Sequence, residues 1–187
     1  TPPWPTTLHV YFLHHLTPEK WTDDHIRKEI DAAADAGFET TYVEAKWWSE
    51  SSPMGDFSLG LGDFTDSRIK FPMGFKRMSD YVHSRGMNFG VWFEFERVDI
   101  RTARRGRNPW KPEWIVHQKG YPYRSWCQHA FMLCLGVKAA AEWALENMSW
   151  AIREYDIDYI MIDSNEWAVC DDPTHDHGPG DGEWAQI

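Results

Sequence analysis

The apolar and polar positions of this chain follow two periodicities in turn, and together they predict strands separated by helices. Four apolar runs rich in strand-forming residues predict buried strands. Between these runs, apolar residues recur at steps of three and four, as they do on the buried face of a helix. The predicted strands span residues 8–13, 40–47, 88–95 and 159–163, and the predicted helices span residues 23–36, 74–85 and 137–155.

Local signals mark where the helices begin and end. Thr22 is a candidate N-cap followed by two aspartates in the first helical turn, and Gly37 and Gly86 end the first two helices. A short extended stretch at residues 131–135 precedes the third helix. The apolar face of that helix is predicted to consist of Val137, Ala140, Ala141, Ala144, Leu145, Met148, Ile152 and Tyr155.

The order of elements predicts the fold class. Strands that alternate with helices form a parallel sheet covered on both faces, and such strands are nearly continuous apolar runs. A doubly wound sheet and a (β/α)8 barrel of the TIM type both satisfy this pattern, and both bind ligands at the carboxyl ends of their strands. The 187 residues form one predicted domain but fall short of the roughly 250 that a complete barrel needs.

The net charge narrows the class of ligand. A formal charge of −10 argues against nucleic-acid phosphates and anionic membranes as partners, since both select clustered basic residues. A neutral polyhydroxylated ligand would not be repelled. The 12 tryptophans include several beside turn residues, where flat rings suit the apolar faces of sugars, but on composition alone the packing of the core and loops is the favoured explanation.

The cysteine pattern and the absence of long apolar runs bear on the compartment. Three cysteines without CxxC spacing do not indicate a disulfide framework, which favours a reducing compartment such as the cytoplasm. No apolar stretch of 18 residues and no signal-like segment is visible, so the sequence predicts neither a membrane span nor an export signal.

Carboxylates follow three of the four predicted strands. Glu44 follows the second strand, Glu94 and Glu96 end the third, and Asp163 ends the fourth. An aspartate is costly to bury in an apolar strand, so Asp163 is predicted to face a polar pocket. The alternative is an ordinary strand-end aspartate that caps the next turn.

Several other chemistries lack their sequence signals. No glycine-rich phosphate loop follows the first strand, and GxSxG is absent, so we predict neither a nucleotide cofactor nor a serine hydrolase. His175 and His177 could be metal ligands, but the glycines around them favour a solvated loop. We therefore predict no cofactor and no metal site.

Three ordered motifs resemble those of glycoside hydrolase family 36, the melibiase group. The run GDFTDSRIKFPMGFKRMSDYVHSRGMNFGVWFEFE covers residues 62–96, KPEW covers 111–114, and EYDIDYIMIDSNE covers 154–166. The resemblance extends from about residue 37 to residue 166. It implies a (β/α)8 barrel of which about the first four βα units are present, truncated at its carboxyl terminus.

The resemblance also implies a mechanism and a set of site residues. Asp163 falls on the family's catalytic nucleophile, which forms a glycosyl-enzyme ester in a retaining reaction on an α-linked glycoside. The acid/base carboxyl group comes from the sixth strand in that family, so the isolated chain is expected to be inactive. The implied sugar-contacting positions are Glu44, Trp47, Asp63, Phe64, Glu94, Met161 and Asn165.

Departures from the family pattern fall at these same positions. The family's D-D-G-W is Glu44-Ala45-Lys46-Trp47 here, the Trp of its GDW is Phe64, and the Lys two residues before the nucleophile is Met161. The Asp of its L-D-L-S is Cys134. Each lost charged hydrogen bond is worth about 1.5 to 3 kcal/mol, so the sequence predicts a sugar other than galactose.

Two other functions stay open on the sequence. A non-catalytic carbohydrate-binding relative would fit the altered sugar contacts, and a metal-dependent barrel enzyme would use Glu44, Glu94, Asp163 and the histidines near residue 175. Four βα units would leave an exposed strand edge, which a homo-oligomer or the missing half of the barrel would cover.

Overall fold

The computed structural model describes residues 10–13, 18–48, 58–104, 107–126, 130–163, 166 and 168–178. The elements in chain order are β1 (Val10–Leu13), α1 (Asp23–Asp35), β2 (Thr40–Val43), α2 (Phe75–Ser84), β3 (Asn88–Phe93), β4 (Arg97–Asp99), β5 (His117–Gln118), β6 (Tyr121–Pro122), β7 (Ala130–Met132), α3 (Lys138–Tyr155) and β8 (Tyr159–Ile162).

Four of these strands form one parallel sheet in the order β1-β2-β3-β8. Each neighbouring pair is joined by a segment that contains a helix, as parallel pairing requires. The prediction of a parallel α/β sheet is therefore confirmed. Because the strands are parallel, their carboxyl ends share one edge, and Glu44, Glu94 and Asp163 follow the ends of β2, β3 and β8 at that edge.

Local chemistry sets the helix ends close to where the sequence predicted them. The Thr22 hydroxyl accepts a hydrogen bond from the His25 amide at 3.2 Å, which caps α1. Gly37 has a φ of 83°, a conformation that costs other residues a steric penalty. At the end of α3, Asp156 occupies the left-handed region with a φ of 56°.

The core lies between the sheet and its helices. Ile26 and Ile30 of α1 and Phe75 and Met78 of α2 are each fully buried. Alternate residues of β3 point from the sheet towards these helix side chains. Phe89 packs edge-on against Phe75, with 5.5 Å between the ring centroids. The apolar positions of α1 and α2 thus form the buried faces that their periodicity predicted.

Two predicted strands end differently from their sequence patterns. The run predicted as a strand at residues 40–47 leaves the sheet after Val43, because Lys46 has a φ of 71° and the chain turns there. The extended stretch at 131–135 contributes β7, which pairs antiparallel with β4 and not with the main sheet. The β4–β7 pair belongs to the loops that follow β3.

The buried face of α3 is rotated from the predicted one. Trp143 and Asn147 are buried, whereas Leu145 is 61% exposed and Ile152 is 37% exposed. Asn147 can be buried because its amide donates to the Trp143 carbonyl at 2.8 Å and its side-chain oxygen accepts from Arg107 at 3.1 Å. The predicted positions Ala140, Ala144 and Tyr155 are buried as expected.

Apolar side chains are exposed on β8, the edge strand of the sheet, and on α3, the helix that precedes it. Ile162 of β8 is 49% exposed, and Leu145 of α3 lines an apolar groove of about 220 Å³ with Phe95 and Met148.

Among the helices in the described ranges, none combines the length and apolarity needed to cross a membrane.

Candidate active site

On one face of the sheet, tyrosines on β2 and β8 lie on either side of a glycine on β3. Tyr42 of β2 is in register with Gly90 of β3, and Gly90 is in register with Tyr159 of β8. The two tyrosine rings meet edge to face across the glycine, 6.2 Å apart. A Cβ at Gly90 would lie 2.9 Å from Tyr159 Cδ1, so only glycine leaves room for this contact.

The candidate nucleophile, Asp163, lies on the same face of the sheet. Alternate residues of a strand share a face, so Tyr159, Met161 and Asp163 point to one side of the sheet. Phe93 is in register with Ile162, and continuing that register by one residue sets Asp163 beside Glu94. The Asp163 side chain is exposed at the carboxyl end of β8, and Met161 is half-buried below it.

The electrostatics of Tyr42 connect Glu44 and Asp163. The Tyr42 hydroxyl donates to Glu44 Oε1 at 3.2 Å, and the Ala45 amide donates to the same oxygen at 2.9 Å. Burial raises the pKa of Tyr42 above its ordinary value, and the negative charges of Glu44 and Asp163 raise it further. Two predicted site carboxylates therefore act on one buried hydroxyl.

Glu94 has a different environment from the other two strand-end carboxylates. It is 1% exposed and forms a two-point ion pair with Arg97, whose Nη2 donates to Glu94 Oε2 at 2.7 Å. Arg97 Nη1 also lies 3.9 Å from Glu166 Oε2. Arg97 thus engages both oxygens of Glu94, which favours a structural role for this carboxylate over the predicted contact with sugar.

Glu166 fastens the segment after β8 to the antiparallel loops. It accepts hydrogen bonds from the Tyr123 hydroxyl at 3.0 Å, the Trp126 amide at 3.1 Å and the Ser125 hydroxyl. Since Glu166 follows Asp163 by three residues, these contacts and Arg97 hold the chain just beyond the candidate nucleophile.

Three predicted sugar-contacting positions make packing or turn contacts in the structure. Trp47 is fully buried and donates to the Trp92 carbonyl at 2.6 Å, and Phe64 stacks on Phe93 at 4.4 Å in the core. Asp63 is 2% exposed and accepts from the Thr65 hydroxyl at 2.6 Å, which stabilises a turn. All three side chains are buried away from the exposed edge, and their predicted contacts with sugar stay predictions.

Asn165, the remaining predicted position, lies outside the described residues. The structure therefore brings together Glu44, Asp163 and Met161 on one face, with Glu94 alongside in its ion pair. Sequence reasoning missed Tyr42, Arg97 and Glu166. The signal for Tyr42 was its spacing of two residues from Glu44, which puts both on one face of a strand.

A buried lysine supports the turn after β2. Lys70 is 3% exposed, and its ammonium donates to the Lys46 carbonyl at 2.6 Å. Burial, followed by the positive charge of Lys46, lowers the pKa of Lys70 from 10.5 to about 8. The charged form is therefore costly in the folded protein at neutral pH.

This lowered pKa predicts that stability rises with pH above about pH 8. Below that pH, Lys70 is protonated in both states, and between 8 and 10.5 only the unfolded chain keeps the proton. The free energy of unfolding should therefore increase by about 2 kcal/mol from about pH 8 to about pH 9.5. Denaturant titrations of the protein and of Lys70→Met measure this, and the variant should lack the increase.

Lys28→Met is the matched control, because Lys28 is 72% exposed and paired with Asp24. It should retain the wild-type dependence on pH. Equal slopes for the protein and for Lys70→Met would contradict the lowered pKa.

The histidines near residue 175 do not join the strand-end carboxylates. Within the described residues, the groups of side chains that could hold a metal ion contain none of Glu44, Glu94 and Asp163. His175 and His177 lie instead beside Cys134 and Cys170. The metal-dependent barrel enzyme considered from the sequence therefore lacks the arrangement it needs in this part of the chain.

Comparisons with known proteins agree with the motifs and the sheet. The protein-family model described as Melibiase matches residues 16–177. Alpha-galactosidase Mel36A of Lactobacillus acidophilus is 30% identical over 149 residues, which cover 78% of this chain and 19% of that protein. An alpha-galactosidase of Escherichia coli is 26% identical over 160 residues, which cover 86% of this chain and 21% of that protein.

Solved structures show the same fold. The alpha-galactosidase from Lactobacillus brevis has a TM-score of 0.68 at 24% identity, over 87% of this chain and 21% of that chain. A variant of the family 36 alpha-galactosidase AgaA from Geobacillus stearothermophilus, in complex with stachyose, has a TM-score of 0.69 at 22% identity, over 83% of this chain and 21% of that chain. The chain spans about a fifth of the length of these relatives, and it belongs to the Melibiase family.

Proposed function

We propose that this chain carries the nucleophile of a retaining glycoside hydrolase and that the nucleophile is Asp163. The observation that carries the proposal is the exposed Asp163 carboxylate at the carboxyl end of β8, on the face that holds Tyr42 and Glu44. Ligands of parallel α/β folds bind at that edge of the sheet. Membership of the Melibiase family supports the same residue through its motif.

The proposed reaction has two displacement steps. Asp163 attacks the anomeric carbon of an α-linked glycoside, the bond to the leaving oxygen breaks, and a general acid protonates that oxygen. Water, deprotonated by the same group, then attacks the anomeric carbon and releases Asp163. Two inversions retain the configuration of the sugar.

The second carboxyl group must lie about 5 to 5.5 Å from the nucleophile in this mechanism. Glu94 is a poor candidate because Arg97 engages both of its oxygens. We propose that the sheet is the first half of a (β/α)8 barrel and that the acid/base residue comes from a later strand. Exposed Ile162 and Leu145 at the β8 side support a further element there.

Glu44 is proposed to contact sugar hydroxyls. Its Oε1 is held by Tyr42 and Ala45, which orients the carboxylate at the end of β2. Met161 lacks hydrogen-bonding groups, so the sugar is proposed to differ from galactose at the hydroxyl that a lysine would bind. Relatives named alpha-galactosidases make an aryl α-galactoside the reference substrate for comparison.

The experiment is a screen of the full-length protein against aryl α- and β-glycosides, followed by labelling with the matching 2-fluoro glycosyl inactivator. Turnover of an α-glycoside and a label on the peptide containing Asp163 are expected. Binding of sugars without turnover or label would favour a non-catalytic carbohydrate-binding relative. A label on another carboxylate would contradict the assignment of Asp163.

A further inference from the structure

Two cysteines and two histidines meet at a point that the proposed reaction does not use. Cys134 Sγ lies 2.9 Å from His177 Nε2, and Cys170 Sγ lies 3.3 Å from His175 Nδ1. All four ligand atoms lie within 4.8 Å of one another. We propose that this group, the Cys2His2 cluster, is a structural binding site for Zn²⁺.

The dimensions of the Cys2His2 cluster fit a tetrahedral ion. Zinc binds thiolate sulfur at about 2.3 Å and imidazole nitrogen at about 2.0 to 2.1 Å, so neighbouring ligand atoms stand roughly 3.3 to 3.8 Å apart. A sulfur and a nitrogen at these bond lengths stand about 3.5 Å apart, so the Cys170–His175 distance is about 0.2 Å shorter and the Cys134–His177 distance about 0.6 Å shorter than in the complex. Modest side-chain adjustments would therefore complete the coordination shell.

The second nitrogen of each histidine fixes the ring in the orientation a metal ligand needs. His175 Nε2 lies 2.9 Å from the Glu113 carbonyl, and His177 Nδ1 lies 2.8 Å from the Gly178 carbonyl. A carbonyl only accepts, so these nitrogens carry the protons. In each neutral ring the other nitrogen then has a lone pair aimed at the cysteines, which is the arrangement found around metal-binding imidazoles.

The Cys2His2 cluster is largely buried, which distinguishes it from side chains that lie close together on the surface by chance. Cys134 and Cys170 are 0% and 1% exposed, and Val116, Met132 and Ala168 pack around them. The side chain of His175 is 4% exposed. The sequence-based expectation of a solvated loop is thus wrong for His175, because the segment folds back onto β7 and the turn before α3.

The sulfur and nitrogen ligands of the cluster favour zinc over other ions. Two thiolates with two imidazoles in tetrahedral array are typical of zinc, whereas calcium and magnesium select oxygen ligands. Three of the ligands come from residues 170–177 and the fourth from the start of the connection to α3. Zinc would therefore cross-link the segment after β8 to the chain that precedes α3.

The position of this cross-link explains what zinc would do. The Asp171 amide donates to the His117 carbonyl at 2.9 Å, and the Cys134 amide donates to the Trp114 carbonyl at 2.7 Å. Both bonds tie the cluster to residues 114–118. The ion would add a four-point anchor to the same region, with no part in the attack on the sugar.

The first measurement is metal content. Full-length protein, purified under reducing conditions without a polyhistidine tag and dialysed after addition of zinc, should retain about one zinc per chain by mass spectrometry. Cys134→Ser and His175→Gln should each lower retained zinc to less than about a tenth of that. His25→Gln is the matched control, since His25 lies on α1 and pairs with Glu29. It should retain the full zinc content.

Cobalt substitution of the wild-type protein keeps the test valid if the variants misfold. Co²⁺ bound by two thiolates in a tetrahedron should give visible ligand-field bands and near-ultraviolet thiolate charge-transfer bands. Zinc should abolish both by displacement. Folded, reduced wild-type protein that retains no zinc, a cobalt complex without thiolate bands, or a Cys134–Cys170 disulfide that forms in place of metal binding would overturn the proposal.

Discussion

Asp163→Asn is expected to lower the turnover number of the full-length protein by on the order of 10⁴-fold or more. An amide cannot form the glycosyl ester, and the nearby carboxylates Glu94 and Glu44 are engaged by Arg97 and by Tyr42. The exchange is nearly isosteric at an exposed side chain, so the fold should persist. Steady-state kinetics on the best aryl glycoside from the screen measure the loss, with circular dichroism as the check on folding.

Asp156→Asn is the matched control for this prediction. Asp156 is the left-handed residue that ends α3, at the opposite end of β8 from Asp163, and asparagine tolerates that conformation. Its kinetic constants should stay within about twofold of wild type. Retention of more than about a tenth of wild-type activity by Asp163→Asn would exclude Asp163 as the nucleophile.

Chemical rescue then separates a nucleophile from a residue that only orients the sugar. Asp163→Gly opens space beside the anomeric carbon, and azide can attack there while the glycosidic bond breaks. A single displacement inverts the configuration, so an α-glycoside should give a β-glycosyl azide. Formation of the α-azide, or no effect of azide on a folded variant, would argue against a direct bond to Asp163.

Much of the sheet was predictable from the sequence because local patterns agree with the fold. The apolar runs before Glu44, Glu94 and Asp163 predicted three strands, and the parallel pairing of these strands brings their carboxyl ends to one edge of the sheet. The end of β2 was not predictable, since the chain turns at the left-handed Lys46, whose carbonyl accepts a hydrogen bond from the distant Lys70. Long-range contacts of this kind have no local signature.

Among the site residues too, those marked by a local pattern could be predicted, and those that depend on long-range contacts could not. Asp163 could be predicted because an aspartate at the end of an apolar strand is unusual and because its motif resembles that of the family, and its role stays a prediction. Trp47 and Phe64 occupy positions of the family motifs yet lie in the core, since a motif gives a position in the sequence and not the direction of a side chain. The Cys2His2 cluster was missed because its fourth ligand, Cys134, lies 36 positions before Cys170, with α3 and β8 between them.

The ion pair of Glu94 with Arg97 predicts the largest effect on stability. Arg97 is 3% exposed, it bridges Glu94 and Glu166, and its guanidinium lies 5.6 Å from the centre of the Trp126 ring. Arg97→Met would leave a buried carboxylate at Glu94 without its cation. Removal of one partner of a buried pair costs about 3 to 5 kcal/mol, and we expect the free energy of unfolding to fall by that amount.

A double variant tests whether the loss comes from the uncompensated charge. Glu94→Leu with Arg97→Met replaces the pair by apolar side chains, and this should recover most of the lost stability. Arg85→Met is the control, since Arg85 is 37% exposed and pairs with Asp31 and Asp35 at the surface, where such pairs contribute about 1 kcal/mol or less. Denaturant titrations followed by tryptophan fluorescence measure all three. Equal losses for Arg97→Met and the double variant would mean that Arg97 acts through packing, because the charge of Glu94 would then make no difference.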